Sequence, residues 1–166
     1  MMEQDAVVAA VRSSTVEVFS TMLSLEVENE DARTELNPPG PSDGIVAVIG
    51  LAGAWVGTGS LCCTTSMACR MSSSMLGMEY AEVNEDVLDA ISEISNMIFG
   101  GFKTIAETHL GPLGLSIPTV VYGLRFSART AGKEKWIVVP FVCGEDKLEL
   151  KVCLSPNRGL PQIHKH

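Results

Sequence analysis

Hydrophobic residues recur along the chain with two different periods, and the change of period separates predicted helices from predicted strands. Apolar residues spaced by three or four positions predict three helices, at about 5–23, 67–77 and 84–102. Gly77 is the expected C-terminal cap of the short second helix, which carries Met67, Met71 and Met75. Alternating or continuous apolar runs predict strands at 25–28, 45–51, 55–64, 116–124, 135–143 and 147–154.

A length of 166 residues fits one domain with a single core. The proline-rich stretch at 37–41 is interpreted as a surface turn, because the segment before it is too small to fold alone. We therefore predict one mixed α/β domain over 1–154. Residues 155–166 show no periodicity and are predicted to form a loose tail.

Charge and composition exclude several classes of protein. A net charge of −8 disfavours nucleic-acid binding, which needs cations to neutralise phosphates. A hydrophobic fraction of 46% excludes intrinsic disorder. The acidic N-terminus shows no export signal, which predicts a cytoplasmic protein. The uncharged stretch between Asp43 and Arg70 is broken by glycines and has too short an apolar part to span a membrane, so two buried strands are expected and membrane insertion is not.

Cysteines and histidines offer little chemistry. The five cysteines are odd in number and lack a CxxC spacing, so neither a disulfide framework nor a zinc site is indicated, and buried reduced thiols are expected. On a strand, Cys62 and Cys63 would point to opposite faces. The three histidines match no metal-ligand or catalytic motif, and the glycines at 50, 53, 57 and 59 match no phosphate-binding loop.

The long predicted helix has two distinct faces. The face that we expect in the core carries Val87, Ile91, Ile94, Ile98 and Phe102. The opposite face carries a polar stripe, formed by Asp89, Glu93, Asn96 and Gly100. Most such stripes are only solvated helix faces. Asn96, however, is an unfavourable helix-interior residue, and glycines at 100 and 101 would either open the surface to another protein or cap the helix.

The stretch DAISEISNMIFGGFK at 89–103 resembles the active helix of the CheC/CheX family of chemotaxis phosphatases. The signature of that family is an Asp or Ser, then ExxN, then a proline about twenty residues later, which would here be Pro118 in LSIPTVV. The segment IGLAGAWVG at 49–57, followed by Met75, Leu76 and Gly77, resembles the paired strands and short helix of CheX. The similarity covers most of the chain in the same order of elements.

The resemblance implies a mostly antiparallel sheet with two long helices on one face and a short additional helix. It also implies a phosphatase acting on the aspartyl phosphate of a CheY-like receiver domain. Asn96 would position the attacking water, Glu93 would contact a cation of the receiver, and Asp89 and Gly100 would contact the partner. The protein would need no cofactor of its own, because the receiver supplies the Mg²⁺.

The number of sites differs within the family: CheX has one active helix, whereas CheC has two. The first helix keeps the spacing in SSTVEVFS at 13–20, but Ser20 stands where the second asparagine would be, so a single site is expected. The resemblance to CheX also implies that the protein forms a homodimer. A non-catalytic docking module for a response regulator or a flagellar-switch component is the main alternative, and a scaffold with an incidental polar stripe is the third.

Overall fold

The computed structural model describes residues 2–36, 43–124 and 135–159. All three predicted helices are present: α1 at Gln4–Val18, continued by a π-helical turn at Phe19–Leu23, α2 at Thr65–Leu76, and α3 at Glu85–Leu110. The predicted turn at 37–41 lies outside the described residues.

The helix ends follow side-chain chemistry that can be identified in the sequence. The Thr64 hydroxyl accepts a hydrogen bond from the Met67 amide at 3.1 Å, and the Asn84 side chain accepts one from the Val87 amide at 3.0 Å. Gly77 ends α2 in the left-handed conformation, with φ of 67°, as predicted.

Helix α3 extends beyond its predicted end near Phe102. Its buried stripe continues through Ala106 and Leu110, which are 0% and 5% exposed. Gly111, with φ of 76°, caps the helix instead. The predicted end near Phe102 was wrong because α3 packs against the core for two more turns past the glycines at 100 and 101.

Eight strands form one antiparallel sheet in the described part of the chain. They are β1 at Glu28–Asn29, β2 at Arg33–Leu36, β3 at Asp43–Gly53, β4 at Trp55–Cys63, β5 at Leu113–Leu115, β6 at Thr119–Leu124, β7 at Lys135–Cys143 and β8 at Asp146–Pro156. Their order is β1-β7-β8-β4-β3-β5, with β2 also pairing with β7, and β6 with β3.

Three strand predictions need correction. Of the predicted strand at 25–28, only Glu28 is in a strand, as the first residue of β1, while Leu25 and Val27 are half-buried against the core. The predicted strand at 116–124 begins only at Thr119, while β5 forms at Leu113–Leu115, where no strand is predicted. Strand β8 continues two residues past 154, so the start of the predicted tail is still part of the sheet.

The chain remains attached to the sheet just after β8. The Asn157 amide donates to the Ala54 carbonyl at 2.9 Å, and its side chain donates to the Gly53 carbonyl at 3.0 Å. These bonds hold residue 157 against the turn between β3 and β4. Residues 160–166 of the predicted tail lie outside the described residues.

The core lies between the helices and one face of the sheet, which confirms the predicted α+β class. Phe99 of α3 packs so closely over Gly59 of β4 that a Cβ there would lie 2.5 Å from the ring. Cys63 belongs to this core, whereas Cys62 lies on the opposite face near Ser60, as the strand pattern predicted. All five cysteines are buried, and none forms a disulfide.

Helix α1 and its π-helical turn together are long and apolar enough to satisfy a membrane-span criterion of length and composition. Half of that apolar window is buried within the fold, and Val11 and Phe19 are 0% exposed in the core. We therefore interpret α1 as a core helix.

Candidate functional site

The polar stripe of α3 faces solvent, as the helical period predicted. Asp89, Glu93 and Asn96 are exposed, and Gly100 is half-buried. The five apolar positions assigned to the opposite face, Val87, Ile91, Ile94, Ile98 and Phe102, are all 0% exposed. Burial of that face fixes the rotation of the helix, so the stripe is presented on a rigid element.

Among the described residues, the side chains of Asp89, Glu93 and Asn96 have no hydrogen-bond or ion-pair partner. Other polar groups of α3 do bond within the helix, since Ser95 donates to the Ile91 carbonyl at 2.8 Å and Thr104 donates to the Gly100 carbonyl at 3.1 Å. Residues three and four positions apart on a helix are neighbours, with about 5–6 Å between Cβ atoms. A carboxylate and a carboxamide are therefore free to meet the same external molecule.

The two glycines of α3 have different environments. Apart from its chain neighbours and the nearby backbone of α3, no atom of the described residues lies within 4 Å of a Cβ placed on Gly100. A Cβ on Gly101 would collide with the side chain of Ser14, whose hydroxyl donates to the Ile98 carbonyl at 2.5 Å. Gly101 therefore serves the close packing of α1 on α3, which corrects its assignment to the open surface. Gly100 has no packing role within the described residues, and its position inside the helix excludes the C-cap alternative.

Pro118 lies in the break between β5 and β6. Just before it, Ser116 leaves the regular ladder but stays bound to β3: its amide donates to the Gly50 carbonyl at 2.9 Å, and its hydroxyl accepts from the Gly50 amide at 2.8 Å. Proline has no amide hydrogen to continue the ladder, and Ile117 beside it is 88% exposed. The observed role of this segment is to interrupt an edge strand.

The corresponding pair on α1 is exposed but engaged locally. The Ser20 hydroxyl donates to the Glu17 carbonyl at 3.2 Å, and Thr21 donates to the same carbonyl at 2.7 Å. Ser20 also lies in the π-helical turn, which alters the spacing of the surface residues there. The expectation of a single site on α3 stays a prediction.

A surface beside the stripe was missed from the sequence. A groove of about 250 Å³ lies between the end of α2 and the start of α3, lined by Met75, Leu76, Asp86, Asp89 and Ala90. Asp86 precedes Asp89 by three residues, and this spacing could have placed it near the stripe. The contribution of α2 depends on tertiary packing and has no local signal.

A larger groove of about 680 Å³ lies elsewhere along α2, where Arg70 forms an ion pair with Asp146 at 2.6 Å. Burial raises the pKa of Asp146, but hydrogen bonds from Ser66 and Arg70 outweigh it, and the pKa lies below its ordinary value. This contact joins α2 to β8 and does not involve the stripe. Within the described ranges, no three His, Cys, Asp or Glu side chains are placed to hold a metal ion.

The antiparallel sheet, the helices on one face and the exposed Glu93–Asn96 pair define a CheC-like α+β domain. The family model described as chemotaxis phosphatase CheX matches residues 45–142. The chain therefore belongs to the CheX family, as the resemblance predicted.

Two relatives illustrate the similarity in sequence. The CheY-P phosphatase CheX of Thermotoga maritima is 30% identical over 128 residues, which span 76% of this chain and 81% of the relative. The crystal structure of the chemotaxis protein CheX from Vibrio vulnificus is 27% identical, with a TM-score of 0.79 over 90% of this chain and 99% of that one.

The fold is also similar to that of a crystallised complex. One chain of the crystal structure of the CheX–CheY–BeF3–Mg²⁺ complex from Borrelia burgdorferi superposes with a TM-score of 0.74 at 20% identity, covering 93% of this chain and 99% of that chain. At this identity the match concerns the fold alone.

Proposed function

We propose that this protein is a phosphatase that hydrolyses the aspartyl phosphate of a CheY-like receiver domain. The observation that carries the proposal is the Glu93–Asn96 pair, exposed on a rigid helix without a partner among the described residues. Membership of the CheX family supports it, and the T. maritima relative is itself a CheY-P phosphatase.

Asn96 positions the nucleophile in this mechanism. An aspartyl phosphate is already activated, so catalysis depends on holding a water in line with phosphorus more than on a strong base. A carboxamide accepts one hydrogen bond and donates another, which orients a water without competing as a nucleophile. The water oxygen bonds to phosphorus, the bond to the aspartyl oxygen breaks, and the carboxylate and inorganic phosphate are released.

Glu93 binds the receiver one turn before Asn96. Its carboxylate pairs with a cationic side chain of the receiver, and this contact fixes the register in which Asn96 enters the phosphorylation site. Asp89 extends the same contact surface by another turn. Gly100 leaves the other side of Asn96 without bulk, so that the receiver backbone can approach the helix.

The metal of the reaction belongs to the partner. A Mg²⁺ ion in the receiver site neutralises phosphate oxygens, and the CheX domain itself contributes no cofactor. The Borrelia complex, which contains CheY, BeF3 and Mg²⁺, is consistent with this division. The protein acts in the cytoplasm, where receiver domains are phosphorylated.

A homodimer is part of the proposal. Strand β6 pairs with β3 on one side and with no other described strand. Val121 is 44% exposed and Ile117 is 88% exposed along this edge. Edge strands are templates for pairing with another chain, so β6 is the element through which a second copy extends the sheet.

The test is release of inorganic phosphate from phosphorylated, Mg²⁺-loaded receivers of the same organism. Wild-type protein should accelerate release from at least one receiver, and Glu93→Ala should weaken both binding and hydrolysis. Glu17→Ala, which removes the equivalent carboxylate on α1, is the matched control and should retain full activity. Measurable binding without acceleration by any receiver would instead favour a docking module.

A further inference from the structure

We infer that the groove between the end of α2 and the start of α3 is a second contact site for the receiver. It takes an apolar side chain of the receiver that lies next to a lysine or arginine. This inference rests on the proposed function and identifies the surface that gives the phosphatase its affinity for the partner.

Interface area is the first argument. The stripe from Asp89 to Gly100 extends only about 16 Å along α3, at a rise of 1.5 Å per residue. Specific protein interfaces usually bury about 800 Å² on each partner, and weak ones still require several hundred. Four positions of one helix cannot supply that area, so the receiver must also contact a neighbouring surface.

The direction of the additional contact follows from what lies beyond each end of the stripe. In the turn after Gly100, polar side chains of α3 already bond within the helix: Thr104 donates to the Gly100 carbonyl, and the half-buried Lys103 pairs with Glu107. Before Asp89 lie two exposed apolar side chains, Leu76 at 42% and Met78 at 62%. Exposed apolar side chains next to a functional site are typical of a contact surface.

Local bonds hold this surface in place. The Tyr80 hydroxyl donates to Asp86 Oδ2 at 3.2 Å, and its oxygen lies 3.9 Å from Met78 Sδ. The Tyr80 amide donates to the Ser73 hydroxyl at 3.0 Å. These contacts connect the segment after α2 to the first turn of α3, and through Tyr80 they bring Met78 close to Asp86, which lines the groove.

Charge specifies the occupant. Glu85, Asp86, Asp89 and Glu93 follow one another along the N-terminal half of α3, and none has an ion-pair partner in the part of the chain that the structure describes. Asp89 both lines the groove and belongs to the stripe, so the two surfaces are continuous. An apolar wall with an acidic rim suits an apolar residue flanked by a cation.

The test separates docking from chemistry by comparing KM with kcat for the phosphorylated receiver. The double variant Leu76→Ser, Met78→Ser should raise KM about tenfold, as expected for loss of a contact of hot-spot size, while kcat stays within about twofold. Asp86→Asn should flatten the dependence of kcat/KM on salt. The matched control is Val16→Ser, whose side chain is 43% exposed on α1 and should leave KM unchanged.

A binding measurement keeps this inference separate from the proposed function. The Kd of wild-type protein and the double variant is measured on a BeF3-activated receiver, without turnover. If the wild-type protein binds the receiver but does not hydrolyse its phosphate, the proposed function fails. The ratio of the Kd values of wild type and double variant still tests whether the groove contacts the receiver. An unchanged Kd in the double variant, or an equal loss in Val16→Ser, would overturn the inference. Absence of binding to any receiver would overturn both proposals.

Discussion

Asn96 occupies an exposed position in the middle of a helix of 26 residues, where its own side chain weakens the helix. Asparagine is worse than alanine in a helix interior by about 0.5 kcal/mol, because its amide competes for backbone hydrogen bonds. No hydrogen bond to another described residue offsets this cost. The residue is thus explained by what it does outside the fold.

Removing the Asn96 side chain should therefore stabilise the protein. Asn96→Ala should raise the free energy of unfolding by about 0.5 kcal/mol, which urea denaturation of both proteins would measure. Ser95→Ala is the control on the buried side, because Ser95 donates to the Ile91 carbonyl and should lose stability. A destabilised Asn96→Ala would show that the carboxamide has a structural role instead.

The adjacent glycines give a second prediction at the scale of single residues. Gly100→Ala should raise the free energy of unfolding by about 1 kcal/mol, because alanine is the better helix former and the site is open. Gly101→Ala should lower it by about 1–3 kcal/mol, because the new methyl group overpacks against Ser14. Urea or thermal unfolding of both variants would measure the two changes. Equal changes in the free energy of unfolding would contradict the assignment of Gly100 to an open site and of Gly101 to a packed one.

Gly100→Ala should also impair function if the receiver approaches this surface. Its KM for phosphorylated receiver should rise while its stability rises, a combination that a purely structural glycine cannot produce. Steady-state kinetics and urea unfolding of the same protein sample would measure the KM and the free energy of unfolding. A variant that is more stable and fully active would remove Gly100 from the contact surface.

At the scale of elements, an ion pair and a hydrogen bond from Ser66 connect α2 to Asp146 of β8. The Arg70 guanidinium donates to Asp146, whose side chain is 10% exposed, at the point where the β7–β8 turn meets the helix. The chain returns through Gly144, with φ of 61°, just before Asp146. This contact helps fix the orientation of α2, and hence of the groove next to α3.

The pKa of Asp146 gives this contact a pH dependence. A lowered folded-state pKa contributes stability above the ordinary aspartate pKa, and that stability is lost as the pH falls through the folded value. Asp146→Asn should therefore cost about 1–2 kcal/mol at pH 7, and the difference from wild type should shrink below about pH 4. Glu145→Gln, on the exposed turn, is the control. A difference in the free energy of unfolding between wild type and Asp146→Asn that stays the same at acid pH would contradict a lowered pKa of Asp146.

Predictability from the sequence also differs between elements. Strong local signals placed α2 correctly: three methionines at helical spacing and Gly77 at the end. The extent of α3 and the existence of β5 were missed, because both depend on what packs against them. Leu113–Leu115 forms a strand because it pairs with the edge of β3. A segment of three residues carries no local sequence pattern that predicts this pairing.

For the molecule as a whole, β6 is an edge strand within the described residues, and we propose that a second copy pairs there. If the dimer forms there, Val121→Lys should give a monomer, because a lysine on an edge strand blocks pairing. Val48→Lys, in the adjacent β3 and 37% exposed, is the control and should remain dimeric. Sedimentation at several concentrations would measure the mass, and a dimer in Val121→Lys would place the interface elsewhere.

The family motif and the helical period identify the candidate site residues, whose roles stay a prediction. They put Asp89, Glu93, Asn96 and Gly100 on one exposed face, and the structure confirms that placement. They could not separate Gly100 from Gly101, because the difference lies in Ser14, distant in sequence. The groove was missed for the same reason, since half of it comes from another helix.

The central claim is that Asn96 positions the water while neighbouring residues bind the receiver. The most direct measurement compares wild type and Asn96→Ala in phosphate release from the phosphorylated receiver, together with their Kd for the BeF3-activated form. We predict a loss of hydrolysis of about 100-fold or more, typical for misplacement of a reacting group, with Kd changed less than threefold. Unchanged hydrolysis in Asn96→Ala would contradict the mechanism.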